Sequence, residues 1–301
     1  LTAKNLNTRI VFIAYYDSLY SPEVERINNP DRFSLLVAPI TRSYTDPVST
    51  EPYTKELKKF VLNKNSHPTD PLEPVAHAED WVKKVGTKSL VYEYHFWVNQ
   101  YYEATGLRFA EIIHNDIKGY KAHGFGGTIE DGSQRSFFPN GFAFYTYART
   151  LFDSSLSYEE IRDDYFEHAF GEDWRKVYDF LEKITDKFNR RYLEGYLPKD
   201  KEKGLYYCPD MKESLDSIPE FAESFRPFVK EHAIMPKRPQ TVSYKLLNYF
   251  INFCELLSPA LSLKCEGKDE EAKAKFAEML NEFGKCEVYI EPFYDQALYG
   301  M

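Results

Sequence analysis

The chain of 301 residues has few cysteines, no excess of positive charge and no uninterrupted apolar stretch of membrane-spanning length. The cysteines are Cys208, Cys254, Cys265 and Cys286. None forms a C-x-x-C pair and no histidine cluster accompanies them, so the sequence offers no zinc-site pattern and requires no disulfide framework. Lys and Arg total 38 against 47 Asp and Glu, a net charge of −9. That balance argues against a protein that tracks a nucleic-acid backbone, which needs cations in excess to displace counterions. No apolar run reaches the roughly 18 residues that suggest a membrane span. With 43% hydrophobic and 28% charged residues, the composition also excludes disorder and a collagen-like chain. What is abundant is aromatic: 24 Tyr, 23 Phe and 3 Trp. Exposed rings suit flat, partly apolar ligands such as sugars; an aromatic core is the plainer alternative.

Four short segments read as strands. Residues 9–16 (R-I-V-F-I-A-Y-Y) and 34–40 (S-L-L-V-A-P-I) are continuous apolar runs, as buried parallel strands are. Residues 89–97 (S-L-V-Y-E-Y-H-F-W) and 125–129 (F-G-G-T-I) follow. Helical spacing of apolar residues predicts helices over 73–85 and 107–122. From Asn140 onward almost everything is helical, with a Ser157-Tyr-Glu-Glu160 capping box opening one segment. Residues 198–203 and 235–239 are the expected linkers. The order of elements suggests parallel β/α units. We expect an α/β fold, a partial (β/α)8 TIM-like barrel of about four parallel β/α units over residues 1–139, followed by an α-helical region over 140–301. Four strands do not close such a barrel. The chain is therefore either a small α/β sheet with a helical domain or the C-terminal half of a barrel, whose front half is then expected upstream or on another chain. The start at Leu1, without a signal-peptide pattern, fits either a removed leader or a piece of a longer protein.

Parallel barrels carry their chemistry at the carboxyl ends of strands. The first strand exits at Tyr15-Tyr16-Asp17, where Asp17 could bind a sugar hydroxyl or simply cap a turn. The second runs into Arg42, which could fork onto a substrate carboxylate or form a structural ion pair. In the third, alternation puts Val91, Glu93, His95 and Trp97 on one face and Tyr92, Tyr94 and Phe96 on the other. A carboxylate and an imidazole on one face of a buried strand call for water, a ligand or a partner, so this face is expected to be a pocket wall; a buried Glu93 ion pair is the alternative. The fourth ends in Glu130-Asp131. Glu130 is the leading catalytic candidate and Glu93 its partner, because glycoside hydrolysis needs two carboxyl groups flanking one bond. Asp131 is expected to point elsewhere. Tyr16, Tyr94 and Trp97 would stack on sugar rings, while Asp17, Arg42, His95 and Asp131 would contact substrate. No G-x-S-x-G elbow and no dinucleotide fingerprint is present. His114, His123 and His168 read as surface or capping residues. Lys58-Lys59 and Lys83-Lys84 read as solvated helix faces.

These segments resemble a bacterial glycoside-hydrolase-like family, the domain of unknown function 4838. The resemblance is carried by 10–16, by Leu36-Val-Ala-Pro-Ile40 with Arg42-Ser-Tyr44, by Tyr92-Glu93-Tyr94, by the Gly-Phe-Gly-Gly-Thr-Ile-Glu130 strand, by the helix over 142–153 and by 165–174. It spans roughly 10–188. It implies a (β/α)8 barrel akin to the α-glucuronidase and hexosaminidase barrels, in exported proteins of carbohydrate-degrading bacteria, hence a periplasmic, cell-surface or secreted location. The family pattern carries Asp more often at the position of Glu93. In related barrels a key acid follows the fourth strand, which lies outside this chain. The expected function is therefore that of part of a glycoside hydrolase acting on an oligosaccharide or polysaccharide, with no metal or redox cofactor. The alternatives are a non-catalytic carbohydrate-binding protein with the same pocket and a helical interaction module with a vestigial sheet.

Overall fold

The computed structural model describes residues 1–63, 67–86, 89–197 and 200–300. Pro198 and Lys199 of the first expected linker lie outside the described residues. The chain is α/β and divides into two compact units. The first comprises Leu1–Trp97, Ile112–Gly132 and Arg149–Ser155; the second comprises Val98–Glu111, Ser133–Ala148 and Leu156–Met301. The units interleave along the chain and are not separated by a single cut near residue 139.

The first unit holds a parallel sheet in the order β1-β2-β3-β4: β1 (Ile10–Tyr15), β2 (Phe33–Ala38), β3 (Ser89–Glu93) and β4 (Thr128–Glu130). Ile10 pairs with Phe33, Leu35 with Ser89 and Glu93 with Glu130. A 3-10 turn, Tyr16–Leu19, follows β1. Helix α1 (Leu72–Val85) joins β2 to β3, and α2 (Leu107–Ala122) precedes β4. Helix α1 stops at Gly86, whose φ of +73° suits glycine and whose N–H bonds to the Val82 carbonyl; Lys83 and Lys84 sit in the last turn, where cations favour the helix dipole.

One face of the sheet is covered. Ala14, Leu35, Val37 and Val91 pack with Val75 and Ala78 of α1 and with Tyr120 and Phe125. The opposite face presents Val11 and Ile13, each 53% exposed, together with Tyr15 and Ile129. Parallel sheets normally bury both faces. Here the edge-strand residues of one face stand exposed, while Leu36 and Ala38 of β2 on that face are buried; among the described residues no further strand pairs with β1 or β4.

The second unit is helical. Its elements are α3 (Phe142–Phe152, whose last residues join the first unit), α4 (Tyr158–Phe170), α5 (Trp174–Phe188), α6 (Arg190–Leu193), α7 (Lys212–Asp216), α8 (Ile218–Glu231), α9 (Arg238–Cys265), α10 (Asp269–Gly284), α11 (Glu287–Ile290) and α12 (Gln296–Tyr299). Helix α9 is long and apolar enough, by length and composition alone, to cross a membrane. Half of its most apolar window is buried inside the protein, and it packs against α8 and α10 as a core helix does. The capping box forms as the sequence predicts: Ser157 Oγ accepts from the Glu160 amide at 3.1 Å, and Glu160 accepts from the Ser157 amide at 2.8 Å. Ser157→Ala is expected to cost about 1 kcal/mol of unfolding free energy, measured by denaturant titration.

The aromatic surplus serves mainly as core in this unit. Phe166 contacts the rings of Phe142, Tyr165, Phe170, Trp174 and Tyr178, and Phe180 stacks on Phe225 at 4.2 Å. Among the described residues all four cysteines are free; three are buried and Cys286 is half-buried.

Candidate active site

At the carboxyl end of the sheet the first unit buries a continuous network of charges. Strand β3 ends at Glu93 on the covered face, because alternation places it with Val91 above the helices. The segment after β2 brings Arg42 and Tyr44 to the same point, and α2 supplies Asp116 and Tyr120. Gly119 lets this segment approach α2: a Cβ there would collide with the carbonyl oxygen of Val48. The Val48 amide in turn donates to Asp116 Oδ1 at 2.6 Å.

Arg42 Nε donates to Glu93 Oε1 at 3.0 Å, and its terminal nitrogen NH2 donates to Asp116 Oδ2. The Tyr44 hydroxyl donates to Glu93 Oε2 at 2.6 Å, and the Tyr120 hydroxyl to Oε1. The Tyr94 amide donates to Oε2 at 3.0 Å. His95 lies between two acids, with Nε2 2.8 Å from Asp116 Oδ2 and Nδ1 2.9 Å from Glu130 Oε1. Arg42 NH2 is 3.2 Å from His95 Nε2, but both groups are donors and they converge on Asp116 instead of bonding to each other. The side chains of Arg42, Glu93, His95 and Asp116 are fully enclosed.

Electrostatics follow from this enclosure. Burial alone would lower the pKa of His95, but the Glu130 and Glu93 carboxylates and the hydrogen bonds to Asp116 and Glu130 win, and it is pushed up to about 10. Both ring nitrogens are then donors. Burial also opposes ionisation of Asp116, yet Arg42 and His95 hold its carboxyl below the ordinary range. The network has two cations and three carboxylates. Glu130 is the acid whose pKa rises, first through burial, with Glu93 adding to it against the pull of His95. Its side chain is 11% exposed, and its second oxygen, Oε2, is buried without a hydrogen-bond partner.

Glu93, His95 and Asp116 each offer a ligand atom within 4.8 Å of the others, as a metal site would. Arg42 already bonds to two of these three residues, so a cation would have to displace a guanidinium. The donor set fits an internal salt-bridge cluster better than a metal centre.

Several expectations change here. The face bearing Val91, Glu93 and His95 is no pocket wall: it lies beneath the helices, and its charges are satisfied by Arg42, Tyr44, Asp116 and Tyr120. Arg42 forks onto acids of its own chain, the structural-pair alternative. With two tyrosines, an arginine and a backbone amide on its carboxylate, Glu93 has no free face for a substrate. The strand stops at Glu93, so His95 and Trp97 lie in the turn beyond it; Trp97 is 42% exposed and is not aligned with Glu93. His114 is buried against Thr150 and is not a surface residue. Lys58 and Lys59 lie in irregular chain, not on a helix.

Glu93 and Glu130 are brought together as register partners on β3 and β4, with His95 bonded to Glu130. Asp131 and the buried Tyr94 come together on the other side, apart from this network. The Asp131 amide donates to the Glu93 carbonyl at 2.8 Å, and alternation puts its side chain with Ile129 and Tyr92 on the open face. Burial first, and Asp131 among the nearby charges, raises the phenol pKa of Tyr92 and of Tyr94. The Tyr92 and Tyr94 rings meet edge-on at 5.3 Å, and the Tyr15 and Tyr94 hydroxyls are hydrogen-bonded. Tyr16 stands against Tyr15 and His67 at φ +46°, a left-handed conformation costly for a bulky residue. Asp17 is exposed in the turn behind it.

Asp116 and Tyr120 carry no motif in the sequence. The one local signal is an acid set among Ile112, Ile113 and Ile117, on the apolar stripe of α2. Comparison with family models, curated proteins and solved structures finds no match to this chain.

Proposed function

We propose that this chain is part of a barrel-type protein that acts on glycans, with its substrate surface on the open face of the sheet at the carboxyl ends of β1, β3 and β4. The observation that carries this is the grouping of half-buried Tyr92 and buried Tyr94 with Asp131, Tyr94 being hydrogen-bonded to the exposed Tyr15, at the tip of the strand that also carries Glu130. Rings offer the apolar contact that sugar C–H faces need, and carboxylates bind hydroxyls. Glu130, desolvated and with one oxygen lacking a hydrogen-bond partner, has the raised pKa a general acid needs. Glu93, the register partner of Glu130, is already held by Arg42, Tyr44 and Tyr120; Asp131, the next residue of the chain, points to the other face of the sheet and would bind substrate there. Edge strands β1 and β4, each without a further strand partner among the described residues, and the exposed Val11, Ile13 and Ile129 support completion of a (β/α)8 barrel by further strands, from an upstream segment or another chain. A location outside the cytoplasm, as the resemblance stated above implies, is part of this proposal.

Glu130→Gln in the intact protein is expected to lower the turnover of glycosides by about 100-fold or more, as loss of a general acid does. Asp131→Asn is expected to weaken both binding and turnover. Unchanged turnover in Glu130→Gln would overturn the assignment. Enclosure of Glu93 favours one second reading, a non-catalytic carbohydrate binder on the same face. Saturable glycan binding without hydrolysis, unaffected by Glu130→Gln, would select it.

A further inference from the structure

A cleft of about 950 Å³ opens in the first unit beside α1 and the turn after β1, away from the charge network. At its back lies His77, on the buried side of α1. His77 is 3% exposed, lines the cleft, and its Nε2 has no hydrogen-bond partner. An enclosed polar atom left without a partner costs about 1–3 kcal/mol, so its place beside a large opening points to a ligand atom. Burial, the largest influence, lowers the pKa of His77, so the imidazole is neutral near pH 7.

The rim charges cancel. Lys58, Lys59 and Lys84 face Asp17, Glu23 and Asp80. Lys84 pairs with Asp80 at 2.8 Å and Lys59 with Glu23 at 3.8 Å. The cleft therefore selects neither anion nor cation. An apolar wall completes it: the Tyr20 ring meets His77 edge-on at 4.9 Å and Phe60 at 5.8 Å, with Phe60 45% exposed.

We propose that this cleft is an accessory binding site for a neutral, hydroxyl-bearing ring, a sugar unit, held by His77 Nε2 and packed on Phe60. A hydroxyl both donates and accepts, so it satisfies Nε2 in either tautomer. The C–H face of the ring would lie on the aromatic wall. The choice of a sugar rests on the glycan reading of the open face; the existence of the site does not.

The test is NMR of the protein labelled at histidine, titrated with cellobiose, xylobiose and chitobiose and, separately, with inorganic phosphate. His77 is assigned by the signal lost in His77→Asn. At least one disaccharide is expected to shift the His77 ring signals saturably while phosphate does not. Phe60→Ala, at an exposed position that leaves the fold intact, is expected to weaken that binding about tenfold, or 1.4 kcal/mol. A His77 signal unmoved by all three sugars, movement by phosphate instead, or equal affinity in Phe60→Ala overturns the proposal. The shift is expected to persist in Asp131→Asn and Glu130→Gln. Unchanged glycan hydrolysis in Glu130→Gln with a persisting His77 shift would remove the open-face reading alone; lost hydrolysis in that variant with a His77 signal unmoved by every sugar would remove this one alone.

Discussion

Arg42→Met is expected to destabilise the sheet-bearing unit by about 3–5 kcal/mol, the usual consequence of removing one partner from a buried ion pair. Arg42 bonds to two enclosed carboxylates, Glu93 and Asp116, and stacks over the Tyr44 ring at 3.9 Å. Without it, both carboxylates remain in a site closed to water. Tyr44, Tyr120 and a backbone amide still serve Glu93, and His95 and the Val48 amide still serve Asp116, but the positive charge is halved. The thermal midpoint is expected to fall by roughly 10 °C or more. Arg42→Lys should fall between, because an ammonium cannot fork onto two acids in the same geometry. The triple variant Arg42→Met, Glu93→Gln, Asp116→Asn should recover part of the loss, since neutral partners tolerate burial better. A single Arg42→Met variant within 1 kcal/mol of the parent in urea titration would show that the network does not hold the unit together.

Alkaline pH is expected to weaken the fold through His95. Its folded pKa of about 10 lies above the unfolded reference of 6.5. A group raised in this direction contributes fully below the unfolded value and loses its contribution as pH rises through the folded one. Stability should therefore decline between pH 6.5 and 10, by on the order of 4–5 kcal/mol from this residue alone. Asp116 acts at the other end: its lowered pKa gives stability that disappears as pH falls below the ordinary carboxylate range. Glu130 has the opposite sign, so its ionisation at neutral pH works against the fold. Buried Cys254 and Cys265 are also raised and add to the alkaline decline. The diagnostic is therefore a difference: urea titrations at pH 6 and pH 10 should separate by several kcal/mol in the parent and by far less in His95→Gln. An equal separation in both proteins would mean that His95 is not an imidazolium in the folded state.

Much of the local structure was legible in residue order. The runs at 10–15 and 33–38 contain almost no polar residue, as strands of a parallel sheet require, and both form. Ser157 and Glu160 announce the start of α4 because each side chain satisfies the other's backbone amide, an interaction confined to four residues. Phe142, Ile161 and Phe188 fall on helical stripes and are buried as that spacing dictates.

The candidate site was legible only as a set of residue types. Alternation separates Glu93 from Tyr92 with certainty, because successive strand side chains point to opposite faces. It carries no information on which face the helices cover. That depends on how α1 and α2 return to the sheet, and on Gly119 admitting Val48. The partners of Glu93 come from 51 residues before it and 27 after, and the carboxylate that joins Arg42 to His95 comes from α2. Charges at such separations find one another only when the chain has folded. Residue order alone therefore established four parallel strands, the helical second half and the acids at the strand ends. The tertiary structure decided that Glu93 and His95 are locked inward while Asp131 and Tyr92 lie on the opposite face, because desolvation makes an enclosed charge depend on whichever counter-charge the packing brings to it.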